Sequence, residues 1–161
     1  MIKLAEILPP KQTALWTLVK QCGVDDVVGV MDFKGELGGQ EAPWSYPAMA
    51  RLKDNYEAAG FKFEVLESRP PLTKAKLGLP GRDEEIASVC TLLENMGKLR
   101  IPVWCYEWMT DFNWLRTSTT TASRGGSLVT SFDASLVADA PPTEGGPISE
   151  EELWTNLRYF M

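Results

Sequence analysis

The six residues "DVVGVM", Asp26 to Met31, form a short, almost wholly apolar run that suits a strand buried on both faces of a parallel sheet. The neighbouring segments repeat around it. On its N-terminal side, "KQTALWTLVKQCG" puts Leu15, Leu18, Val19 and Cys22 at helical spacing, with Gly23 as a stop. Before that, "IKLAEI" (2–7) reads as a strand ended by Pro9 and Pro10. On its C-terminal side a Gly- and Pro-rich loop (32–43) leads to a helix opened by Ser45 and Pro47. Met49, Leu52 and Tyr56 share one face of that helix, and Gly60 closes it.

The alternation continues through a strand at "FKFEVLE" (61–67) and a helix N-capped by Asp83. Its inward face is Ile86, Val89, Leu93 and Met96, it ends at Gly97, and a fourth strand follows at "IPVWCYEW" (101–108). Strand and helix in strict alternation imply a parallel sheet with right-handed crossovers, either an open doubly wound sheet or a (β/α)8 barrel. No GxGxxG follows the first strand, which weighs against a dinucleotide-binding open sheet. From Thr110 to Ile148 runs a long connection in which β-branched residues flank Gly125-Gly126, a hairpin signal. Ser149 and Glu152 then form a capping box for a helix along Leu153, Leu157 and Phe160. That pattern stops at Met161 where a parallel α/β fold calls for a fifth strand, so a truncated barrel is expected.

Composition narrows the chemistry. The 161 residues carry a net charge of -6 with scattered Lys and Arg, which argues against nucleic-acid binding. No apolar run approaches membrane-spanning length and no signal peptide is visible, so a cytoplasmic address is expected without a membrane partner. There are three dispersed cysteines and no histidine, which excludes Cys/His zinc sites and His-based catalytic dyads within this chain. Cys22, Cys90 and Cys105 read as small buried hydrophobes.

"VLESRP", "KAKLG", "PVWCYEWMTDFNWLRT" and "EEELWTNLRYF" together resemble the UxuA-type mannonate dehydratases. The third motif keeps Cys105, Tyr106, Met109, Phe112, Trp114, Arg116 and Thr117 in order and without a gap. The resemblance implies a TIM barrel of the xylose isomerase-like type, of which residues 1–161 are the N-terminal half, about four βα units, with a loop and hairpin insertion at 110–148. It implies a lyase of glucuronate catabolism that removes water from D-mannonate to give 2-dehydro-3-deoxy-D-gluconate. It also implies manganese or another divalent metal, with ligands on later strands and none in this chain, so the chain alone is expected to be inactive. A homo-oligomer is among the expectations. The loop at 32–46 departs from the family pattern. A non-catalytic sugar-acid-binding module, or an isomerase or epimerase of the same superfamily, is the alternative.

The substrate-binding candidates follow from barrel geometry, in which strand C-termini and the loops after them build the site. Glu67 and Glu107 fall at the ends of the third and fourth strands, placed to bind sugar hydroxyls or to support the metal ligands; their plainer role is a rim carboxylate in water, or one paired with Arg69 or Arg116. Arg116 is matched to the aldonate carboxylate, which a guanidinium fork binds through two hydrogen bonds, or anchors the loop; its plainer role is a salt bridge to Asp111 or to another acid of the long loop. Trp114, with Trp108 and Phe112, would wall the pocket or simply pack. Lys76 would neutralise the substrate, or sit solvated in its loop. Gly38 and Gly39, flanked by Glu36 and Glu41, read as a mobile lid or linker.

Overall fold

The structure, a computed structural model, describes residues 2–109, 115–141, 143 and 145–161. The chain divides into two compact units, residues 1–72 with 81–107, and residues 73–80 with 108–161.

The first unit holds four strands, β1 (Ala5–Leu8), β2 (Asp26–Gly29), β3 (Lys62–Leu66) and β4 (Val103–Trp104). They pair in parallel in the order β1-β2-β3-β4. Spatial order therefore equals chain order, without the reversal that defines a doubly wound sheet. Helices α1 (Ala14–Gln21), α2 (Tyr46–Ala58) and α4 (Arg82–Leu99) connect the strands. Leu8, Val27, Phe63 and Leu66 of the sheet join Trp16, Val19, Met49, Leu52, Tyr56, Leu92 and Met96 in one core. A bulge at Glu64 resets the alternation of β3, so that Phe63 and Leu66, three apart, both enter that core. Outside that core lies a second cross-strand row, Ile7–Val28–Val65–Val103. Its end members are 46% and 48% exposed.

Ser45 caps α2 as expected, its hydroxyl accepting the Ala48 N–H, and Met49, Leu52 and Tyr56 are buried together. Two helix faces differ from expectation. In α1 the core takes Trp16 and Val19, leaving Leu15 and Leu18 exposed. The indole buries more apolar area than either leucine, so it sets the rotation of the helix. In α4 the buried set is Val89, Leu92, Asn95, Met96 and Leu99, and Leu93 is exposed. Asn95 turns inward because its amide donates to the Trp44 carbonyl at 3.0 Å. The helix starts after Gly81 rather than Asp83 and runs past Gly97 to Leu99, ending on a left-handed Arg100. The fourth strand is two residues long rather than eight. Cys22, Cys90 and Cys105 are all exposed, which corrects the buried reading; a thiol is too small to determine which helix face turns inward.

The second unit contains α3 (Thr73–Leu77), β5 (Ser118–Ala122), β6 (Leu128–Ser131) and α5 (Glu150–Phe160). The hairpin of β5 and β6 is antiparallel and turns through Gly125 and Gly126, both at positive φ. Helix α3, not anticipated, packs on α5. There the buried Asn156 donates to the Lys76 carbonyl at 3.0 Å. Gly78 lies so near that a Cβ would stand 2.7 Å from Asn156 Oδ1.

The capping box at the start of α5 forms as read. Glu152 N–H donates to Ser149 Oγ at 3.2 Å, and Ser149 N–H to Glu152 Oε2 at 2.9 Å. The backbone N–H of Ser149 is the main cause holding the Glu152 carboxyl below its ordinary range. Ser149→Ala should cost about 1 kcal/mol of local helix stability. Faster amide exchange in Glu150–Leu153, with no change in β1–β4, is the measurement; unchanged exchange would refute the cap's role.

Candidate active site at the strand ends

Ligands of parallel α/β sheets bind beyond the carboxyl ends of the strands, whichever way the sheet closes. In this chain those ends are knitted together. Glu67 N–H donates to the Gly29 carbonyl and Cys105 N–H to the Leu66 carbonyl, each at 2.9 Å, extending the ladder past the strands. Met31 N–H donates to Ser68 Oγ at 2.8 Å, and Trp104 Nε1–H to the Ser68 carbonyl at 2.9 Å. Ser68 thus joins the ends of β2, β3 and β4. Sequence reasoning did not single it out; "LESRP" directly after a strand was the available signal. Trp104 stacks on Tyr106 at 5.2 Å between centroids.

Of the expected site residues, Glu107 is half-buried and paired with Arg69, whose Nε lies 2.5 Å from Glu107 Oε1 and whose Nη2 bonds the same oxygen. Pairing with Arg69 was the plainer of the two readings. Glu67 is exposed next to it in sequence, after β3. Lys76 and Arg116 belong to the second unit. Lys76 is no solvated loop residue: it lies in α3 and is 2% exposed. Arg116 is exposed, its Nε donating to Thr130 Oγ1 at 3.1 Å and its Nη1 to the Leu115 carbonyl at 2.9 Å. Trp114, Asp111 and Phe112 lie outside the described residues. Trp108 packs on Phe160, centroids 5.0 Å apart, as the packing reading has it.

The loop after β2 is tied to α2 rather than loose. Asp32 accepts the Glu36 and Leu37 N–H groups at 3.0 and 2.7 Å. Arg51 pairs with Glu41 at 2.6 Å and donates to the Gly38 carbonyl at 2.9 Å, closing a hollow of about 240 Å³. A side chain at Gly39 would collide with Arg51 Nη2 at 2.2 Å, so the glycine makes room for that clamp.

Among the described residues no three His, Cys, Asp or Glu side chains gather to hold a metal ion, and the chain has no histidine. The donors among the described residues do not fit a divalent metal centre. No helix among the described residues is long and apolar enough to cross a membrane.

The family model of D-mannonate dehydratase (UxuA) matches residues 8–145. The chain belongs to that family. It is 33% identical over 142 residues to a mannonate dehydratase of Streptococcus equi subsp. zooepidemicus, covering 73% of this chain and 39% of the relative. To the mannonate dehydratase of Thermotoga neapolitana it is 35% identical over 122 residues, covering 76% and 33%. The crystal structure of mannonate dehydratase from Streptococcus suis serotype 2 superposes with a TM-score of 0.82 at 28% identity, covering 99% of this chain and 48% of that one. The chain spans less than half the length of these relatives.

Proposed function

We infer that the chain forms the first four βα units of a (β/α)8 barrel of a hydro-lyase acting on D-mannonate, and that its strand ends face the sugar acid. The observation that carries this is the layer joining Met31, Ser68, Trp104, Arg69 and Glu107 beyond β2, β3 and β4. The sequential parallel order and the family membership support the same reading. Dehydration takes the C2 proton to a base and assists departure of the C3 hydroxyl. In this reading Glu67 and Glu107 lie at the strand ends, and Arg116, Lys76 and Trp114 remain candidates for binding the sugar acid. The manganese or other divalent ion that the resemblance implies finds no donor set among the described residues. A cytoplasmic address and a homo-oligomeric state belong to the same proposal.

Calorimetric titration of the 161-residue chain with D-mannonate, with and without manganese, tests the reading. D-mannonate should bind in preference to the uncharged D-mannitol, without turnover, and equally with and without the metal. Equal binding of the alcohol, or none of the acid, would overturn it. A sugar-acid-binding module without catalysis is the second reading. Titration of a full-length relative separates the two, because only the dehydratase reading expects turnover there.

A further inference from the structure

Arg69 stands between β3 and a buried proline, Pro70. A residue before proline is held to extended backbone, so the position from which this guanidinium reaches out is constrained. It comes to rest on a carboxylate 38 residues away in sequence, at the end of β4. The side chains are 20% and 33% exposed, so the pair is shielded yet open to an incoming molecule. The pairing is also incomplete. Nε and Nη2 both bond the single oxygen Oε1, and Nη1 makes no bond among the described residues. A guanidinium binds a carboxylate best through two parallel bonds to two oxygens, which this arrangement does not form.

The geometry points to Arg69 as the receptor for the ligand's carboxylate, with Glu107 as an internal stand-in that the ligand displaces. The inference rests on the reading of the chain as part of a sugar-acid enzyme, and it gives the recognition of charge to Arg69 rather than Arg116. The exchange trades the Arg69–Glu107 pair for a pair with the ligand at a site already in partial contact with water. The ligand gains the second oxygen contact, and Glu107 turns toward solvent. The ligand class is a polyhydroxy carboxylate. A neutral sugar or alditol cannot compete with Glu107, so the pair also acts as a filter against uncharged analogues.

The test follows the arginine Nε–H resonances of the 161-residue chain by nitrogen-15 NMR during titration with D-mannonate, D-gluconate and D-mannitol, alongside calorimetry. D-mannonate should shift the Arg69 signal and D-mannitol should not. Glu107→Gln should tighten acid binding severalfold by removing the competitor. Arg69→Lys should weaken it at least about tenfold, the scale of one charge-assisted bond. Arg116→Ala should weaken it less than Arg69→Lys does. If D-mannonate binds and only Arg116→Ala weakens it, the inference falls and the proposed function stands. If both acids shift Arg69 equally, the carboxylate receptor stands while D-mannonate loses its place as the preferred substrate. Silence of Arg69 in both the wild-type chain and Glu107→Gln overturns the inference, whether or not the Arg69 variant folds.

Discussion

Tyr56→Ala is expected to lower the stability of the sheet unit by about 3–5 kcal/mol, a large share of the roughly 5–15 kcal/mol that holds a domain folded. Tyr56 has no solvent exposure. Its ring stacks on Trp16 at 4.9 Å and leans on Phe63 at 5.2 Å, and its hydroxyl donates to the Leu8 carbonyl at 2.7 Å. One side chain from α2 thus touches α1, β3 and the end of β1. Tyr56→Phe keeps the ring and loses the hydrogen bond, which should cost only about 1 kcal/mol. Urea unfolding followed by tryptophan fluorescence measures both. An alanine variant within 0.5 kcal/mol of wild type, on the order of a surface substitution, would refute the central role of this ring. A pH dependence follows from the same burial, which pushes the Tyr56 hydroxyl well above its ordinary 10.0. Above about pH 10 the unfolded chain loses this proton while the folded chain keeps it. The folded state then binds more protons, so stability falls as pH rises. Tyr56→Phe should show a shallower loss above pH 10 than wild type, and that difference isolates this tyrosine from the others.

Strong local periodicity explains what could be read in advance. Met49, Leu52 and Tyr56 stand at spacings of three and four on a helix with a serine cap, and all three are buried. The first four residues of "DVVGVM" form β2, and Gly125-Gly126 between β-branched runs closes a hairpin. Where two apolar stripes competed on one helix, pattern alone chose wrongly. In α1, Leu15 and Leu18 lost to Trp16 because contact area across the interface decides, and that depends on Phe61 and Tyr56, some forty residues away. In α4 the inward turn of Asn95 follows from a bond to the Trp44 carbonyl, which no local window contains. The site behaves likewise. Glu107 and Arg69 were each visible near a strand end, and their pairing was one of two readings. Only the adjacency of β3 and β4 brings the two side chains together.

Gly29 should be the least replaceable glycine of the sheet unit, although its backbone needs no left-handed conformation. A Cβ there would stand 2.4 Å from Phe63 Cε2 and 2.9 Å from Tyr56 Cε2. Both belong to rings in the closed core, where no flexible side-chain end can give way. The absent side chain is what lets Tyr56 and Phe63 meet over β2. Gly29→Ala is therefore expected to cost about 1–3 kcal/mol, and Gly29→Val more, against the small gain that alanine brings to an uncrowded strand. Phe63→Leu should relieve part of the clash. A double-mutant cycle between Gly29→Ala and Phe63→Leu should then show a favourable coupling of about 1 kcal/mol or more. Strict additivity would mean that β2 shifts instead of the ring. That outcome is itself readable, because the Gly29 carbonyl accepts the Glu67 N–H and Met31 N–H bonds Ser68. A displaced β2 would loosen the loop that carries Arg69, and sugar-acid affinity would fall with stability. A clash absorbed by the rings would lower stability alone.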